Sequence, residues 1–228
     1  VQEVQLLLAA QGFPAPRPLL DPQPFGVGTA TVESALIQLP PADTRDRMMR
    51  RALADGLAAF VRLSAPLAIR AELAGRGPLR APAPGSVFAP PFASSTADAS
   101  MRAIDYAATA SGAEWIEELG ARARLLLAAA PESVPVVGHF EWRDENVPAA
   151  GGRIAAIYAW NSIGTATEAV VVGSAAHQFT ISAASPGSPP PIRVPTLTEV
   201  QEFMSDYEAA RGTPFTTADR VTARTAYV

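Results

Sequence analysis

The segment Val136 to Val147 reads VVGHFEWRDENV and carries an imidazole, a carboxylate and a carboxamide on one short stretch, at His139, Glu141 and Asn146. An imidazole with an ordinary pKa of about 6.5 exchanges protons near neutral pH, so His139 is a candidate acid/base. Its alternative role is to brace the loop through hydrogen bonds. Glu141 is a candidate general base where a pocket strips water from it. Otherwise it stays solvated or pairs with an arginine such as Arg143. Asn146 is expected to brace the loop rather than hold an ion. Trp142, Arg143, Trp160 and Asn161, with Tyr158, are the candidate ligand-facing residues, although aromatics beside a strand also serve as core. The sequence contains no Ser/His/Asp nucleophile signature and no Cys/His metal pattern, and no metal site is expected. His177 and Glu168 are expected to be structural, the latter as a negative charge in a helix's first turn.

These residues need elements to position them. Val134 to Gly138 predicts a short buried strand and Arg153 to Trp160 a second, with the loop between them and Gly151-Gly152 as a hairpin turn. Upstream, Val1 to Gln11 has helical spacing, and two extended stretches follow around Leu19 to Phe25 and Thr29 to Ile37. A helix is expected from about 43 to 64, with Leu53, Leu57, Phe60 and Val61 inward and Arg45, Arg47, Arg50 and Arg51 on a solvated face. The segment from 75 to 95 reads as a long surface loop. The segment from about 98 to 130 reads as helical, with Trp115, Leu119, Leu126 and Leu127 inward. A helix over Thr165 to Phe179 and a Pro-rich loop over 185 to 195 complete the middle of the chain. Thr196-Leu197-Thr198-Glu199 has capping-box spacing and opens a helix with Val200, Phe203, Met204 and Tyr207 inward, closed by Gly212. Thr216 or Thr217 begins the last one.

The chain has 228 residues and 48% hydrophobic content, enough for a sizeable core. A net charge of −4 gives no broad basic surface, so neither nucleic acid nor a membrane is an expected partner. The longest apolar runs fall far short of the roughly 20 residues a bilayer crossing needs. Val1 to Ala10 lacks a basic start and does not read as a signal peptide. With no cysteine, a reducing, cytoplasmic setting is expected. All 18 Lys+Arg residues are arginines. A coding bias accounts for that, yet the absence of lysine has a chemical consequence of its own.

The loop VVGHFEWRDENV, the following IYAWNS (Ile157 to Ser162) and the downstream AARGTPF (Ala209 to Phe215) resemble, in that order, the aminoglycoside phosphotransferase and choline kinase-like family. The resemblance implies an α+β, mainly helical fold like a protein-kinase C-lobe. Residues 1–38 would be a remnant of the N-lobe and hinge, and 39–228 the helical C-lobe with a catalytic-type loop at 139–146. In such kinases a loop carboxylate orients the substrate hydroxyl and accepts its proton, and an Asn and an Asp bind Mg²⁺. Here Glu141 stands at the carboxylate position and Asn146 at the Asn position. Ala159 stands where the metal-binding Asp belongs, and neutral Asn161 at the second acidic position.

The added methylene of Glu141 moves its carboxylate by roughly 1.5 Å, and a displacement of about 1 Å can cost on the order of 100-fold in rate. Ala159 has no ligand atom for a hard cation. No lysine is present to clamp phosphates. All three departures act on phosphoryl transfer. The expectation is therefore a degenerate family member that uses its cleft, without ATP or Mg²⁺, for acid/base chemistry through Glu141 and His139 on a small molecule, or for binding one. The alternatives are a small-molecule kinase that uses ATP and Mg²⁺ with an impaired metal site, and a pseudokinase that serves as an interaction module. Oligomeric state is left open.

Overall fold

The computed structural model describes residues 1–26, 28–36, 39, 43–70, 73, 111–112, 114–181 and 194–226. The loop expected at 75–95, most of that at 185–195 and the helical start expected at 98–110 lie outside the described residues.

The centre of the molecule is helix α2 (Arg47–Ser64), which buries Leu53, Leu57, Phe60 and Val61 as the 3.6-residue period requires. It begins four residues later than expected. Asp43 is spent on a turn, its Oδ1 accepting from the Arg45 N–H at 3.1 Å. Asp46 then caps the helix by accepting from the Met48 and Met49 N–H groups at 2.8 and 3.2 Å. Phe60 sits among Phe13, Trp142 and Trp160, with ring centroids 6.1, 5.9 and 6.3 Å away. Full burial of such a side chain contributes about 1.5–3 kcal/mol.

Helix α1 (Gln2–Ala10) buries Val4 and Leu8 in the same core, so the packing is continuous across the division expected at residue 38. Strands β1 (Pro18–Phe25) and β2 (Gly28–Glu33) form an antiparallel hairpin that pairs with no other strand among the described residues. Helix α3 (Glu114–Ala128) follows Gly112, whose φ of +83° places a turn where helix was expected. Trp115, Leu119 and Leu126 are 61, 40 and 54% exposed, contrary to expectation. The helical period was read correctly but the face was not. Ala123 is buried and Ile116, Gly120 and Leu127 are half-buried on the opposite stripe, and α3 packs by small residues against the last helix.

Strand β3 (Val136–His139) pairs antiparallel with β6 (Ile163–Ala166), with His139 opposite Ile163 and Gly138 opposite Gly164. The strand expected over 153–160 is only β5 (Arg153–Ile154), paired with β4 (Ala149–Ala150) across Gly151 and Gly152. Both turn glycines have positive φ, +57° and +76°, the geometry of a two-residue hairpin. Ala155 to Tyr158 runs outside any ladder because its N–H groups go to loop carbonyls: Ala155 to Pro148 at 2.8 Å and Tyr158 to Asn146 at 2.7 Å.

Helix α4 (Glu168–Gln178) starts after β6, capped by Thr167, which places Thr165 in strand rather than helix. Helix α5 (Leu197–Arg211) has the expected capping box of Thr196 and Glu199, the expected buried residues and Gly212 at φ +79° as its stop. Helix α6 (Thr217–Thr225) repeats the device with Thr216 and Asp219. Glu168 accepts from the Tyr207 hydroxyl at 2.7 Å and pairs with Arg211 at 3.0 Å, tying α4 to α5. Burial and this carboxylate push the Tyr207 hydroxyl well up from its ordinary pKa.

The arginine face of α2 is corrected too. Arg50 is 8% exposed and donates to Asp206 at 2.8 Å and Glu202 at 2.6 Å, while Arg51 reaches Asp206 at 3.2 Å and Arg45 meets Glu199 at 3.0 Å. Arg50 is thus part of the interface with α5, while Arg45, Arg47 and Arg51 remain exposed. The fold is α+β. No helix among the described residues is long and apolar enough to cross a membrane.

Candidate functional site

The loop from His139 to Asn146 is a closed hydrogen-bonded unit. Arg143 N–H donates to the Glu141 carbonyl at 3.0 Å, and Asn146 and Val147 N–H groups donate to the Arg143 carbonyl at 2.9 and 2.8 Å. The Asn146 amide spans the turn, donating to the Glu141 carbonyl at 3.0 Å and to its carboxylate at 3.3 Å. The Asn146 side chain thus joins two points of the loop.

His139 has no exposed surface. Its Nδ1 accepts from the Glu141 N–H at 3.3 Å, which a backbone amide can only donate. Nε2 therefore carries the ring proton and donates it to the Tyr158 carbonyl at 2.8 Å. The ring stands edge-on to Trp142 and Phe60, at 5.7 and 6.5 Å between centroids. Desolvation holds its pKa below the ordinary value, outweighing the Tyr158 carbonyl and the Glu141 charge, which act the other way. The acid/base role expected for His139 gives way to its alternative as a brace, because both nitrogens are used and no face is open.

This has a pH consequence. A histidine whose pKa is lowered on folding contributes stability that is complete above its unfolded value of about 6.5 and is lost as pH falls below it. The urea midpoint is expected to drop between pH 7 and pH 5. His139→Gln, which cannot titrate, is expected to flatten the His139 share of that drop. An unchanged slope in the variant would show that His139 does not report this linkage.

Glu141 is half-buried and is held by Asn146 rather than by Arg143, which lies 2.5 Å from Glu145 instead. Arg143 is thus paired within the loop. Trp142 is fully buried and donates from its indole N–H to the Leu53 carbonyl of α2 at 3.1 Å. Trp160, 6% exposed, donates to the Ile157 carbonyl at 2.9 Å. Both were candidate ligand-facing residues, and both are principally core. Tryptophans beside a short strand are pulled inward by the area they bury, provided the N–H finds an acceptor.

Asp144 was not singled out by its sequence position, since a loop aspartate ordinarily faces water. Here it is 5% exposed, its Oδ1 accepting from the Glu145 N–H at 2.8 Å, and burial pushes its pKa up. It is the most enclosed carboxylate of the loop. Sequence carries no signal for this beyond its position between bulky neighbours.

A cleft lies elsewhere. It has a volume of about 800 Å³ and is lined by Glu3 and Gln5 of α1, Thr31 and Glu33 of β2, and Trp160 and Asn161, among others. Gln5, 2% exposed, donates to the Glu33 carboxylate at 2.5 Å, and Arg70 pairs with Glu3 at 3.1 Å across the rim. Asn161 is the one candidate ligand-facing residue that is exposed and borders this space. Ala159 borders it too, with a left-handed backbone at φ +53°, the only non-glycine positive φ among the described residues. That conformation costs about 1 kcal/mol for alanine and is held by the turn Trp160–Ser162, where Ser162 Oγ donates to the Ala159 carbonyl at 2.7 Å. His139, Glu141, Arg143 and Asn146 do not line the cleft.

The residues do not fit a Mg²⁺ ion at the position the resemblance implies. Ala159 offers no side-chain donor, and the Asn146 amide nitrogen is directed at Glu141. Among the described residues no three His, Cys, Asp or Glu side chains converge. Compared with known protein families, the chain matches no family model, and it matches no curated protein.

Proposed function

We propose that this chain is a degenerate relative of the aminoglycoside phosphotransferase and choline kinase-like proteins that binds a small molecule in the cytoplasm without transferring phosphate. The observation that carries this reading is the pairing of Ala159 and Asn161 at the wall of the roughly 800 Å³ cleft. The residue at the metal-binding position faces the cleft with a methyl group, and its neighbour offers a neutral amide. The loop from 139 to 146 is braced internally, as described for His139 and Asn146, and its carboxylate lies outside the cleft. Binding is therefore favoured over acid/base chemistry by Glu141 and His139. A cleft of this size is within the range that encloses small organic ligands.

Calorimetric titration of ATP, with and without Mg²⁺, tests the reading. The expected result is no Mg²⁺-dependent heat for the chain as it stands. Micromolar, Mg²⁺-dependent binding would overturn the proposal in favour of a small-molecule kinase. A screen of small molecules by thermal shift is expected to yield ligands whose effect is lost in Asn161→Leu.

A further inference from the structure

Among the described residues, the β1–β2 hairpin has one blocked edge and one open edge. Pro18 stands opposite Glu33 and Pro24 opposite Thr29. Proline has no N–H, so neither pair can be one of the ladder's hydrogen-bonded pairs. In the remaining kind of pair, the backbone groups of both residues point away from each other, toward the outer edges. On β2, Thr29 and Glu33 thus direct their N–H and C=O groups outward, and Thr31, midway between them with no register shift on β2, does the same. None of these three backbone N–H groups has a hydrogen-bond partner among the described residues. Both register shifts add a residue on the β1 side, one between Pro18 and Leu20 and the other between Leu20 and Gln23.

The two edges differ in what they offer. β1's edge lacks donors at Pro18 and Pro24, and such prolines are a common means of stopping further pairing. β2 reads GTATVE, with no proline, no lysine and β-branched residues at three of its six positions. Its apolar face is left open as well: Val32 is 46% exposed, and Leu20, opposite it on β1, is 58% exposed.

The strand is self-complementary. When two copies of β2 run antiparallel about a two-fold axis through Thr31, Thr31 meets its own copy and Thr29 meets Glu33 in both directions. Three hydrogen-bonded pairs of this kind give about six N–H···O bonds. Threonine beside threonine and threonine beside glutamate are favourable cross-strand neighbours, and Glu33, the strand's one charge, never faces itself. We propose that two copies of this chain associate through β2, forming a continuous four-stranded sheet in the order β1-β2-β2-β1.

Sedimentation analysis over a range of concentrations tests this. The chain is expected to show a monomer–dimer equilibrium, and Thr31→Pro is expected to shift its midpoint toward monomer at least about tenfold. The circular dichroism of that variant should be unchanged, because the Thr31 N–H points away from β1. Thr31→Cys supplies a second readout. The chain has no cysteine of its own, so the only disulfide available joins the two copies. Opposed residues of such a pair lie about 5.5 Å apart at Cα, within disulfide reach. Oxidation is expected to double its mass, while Thr213→Cys, exposed just beyond the C-terminus of α5, stays single. A chain that is monomeric throughout, a dimer indifferent to Thr31→Pro, or equal crosslinking in both cysteine variants would overturn the proposal. So would a monomer whose Thr29 to Glu33 amides become protected only on adding a different polypeptide, which would assign the edge to a foreign strand.

Discussion

Gly173→Ala is expected to lower the unfolding free energy by about 3 kcal/mol, a large loss for one methyl group. Gly173 lies in α4 where α6 crosses it. A β-carbon there would meet the Ala223 carbonyl oxygen at 2.1 Å and its carbonyl carbon at 2.8 Å. Those are backbone atoms of a helix, so they cannot swing aside as a side chain would. Relief requires α6 to move as a unit, breaking the packing of Ala223, which is fully buried. Helix propensity works in the opposite direction, since alanine is better than glycine inside a helix by about 1 kcal/mol. The sign of the effect is therefore diagnostic. Urea denaturation followed by circular dichroism measures it, and a stabilised variant would mean that α4 and α6 do not approach so closely. Gly56, by contrast, faces a side chain rather than backbone, with Ile154 Cγ2 at 2.8 Å and Cδ1 at 2.9 Å, and its alanine variant should be milder.

The second large effect belongs to Arg50. Its side chain and that of Asp206 are 10 and 12% exposed, and together with Glu202 they join α2 to α5. Arg50→Leu is expected to cost about 3 kcal/mol, because it leaves Asp206 enclosed with only the longer contact to Arg51. The charges there are already crowded: burial first, and then Asp206, push the pKa of nearby Asp55 up. The double variant Arg50→Leu, Asp206→Leu should recover most of the loss, because two apolar side chains can replace a buried pair at little cost. If the double variant were as unstable as the sum of the two single ones, the residues would be acting independently and the pairing would be without energetic weight.

Sequence conveyed the parts of this fold that depend on neighbours within a few positions. The capping box at Thr196, the start of the last helix at Thr216 or Thr217, the buried stripe of α2 and the Gly151-Gly152 turn are all local devices, and all were legible. What was misjudged depends on residues far along the chain. Arg50 looks like a solvent-facing charge until Asp206 arrives 156 positions later. The inward face of α3 was assigned to its largest residues because hydrophobic period alone does not say which partner the helix has, and α6 accepts the small ones. β6 was missed because Ile163 to Ala166 has a strand's burial only once β3 is beside it. At the site, a loop-holding role for Asn146 was legible only through the resemblance of its loop. The enclosure of Trp142 and Asp144 was not, since it is set by where α2 lies beneath the loop.

The pairing of α2 with α5 also sets an order of events during synthesis. At about 5–20 residues per second, the ribosome needs roughly 8–30 s to add the 156 residues that separate Arg50 from Asp206. Throughout that interval α2 holds a finished apolar stripe and two arginines without the helix that completes them. Closing so long a loop is entropically slow. The nascent chain is thus a natural client for holding chaperones between the emergence of Ser64 and that of Thr196, and conditions that slow translation over this stretch would lengthen its exposure.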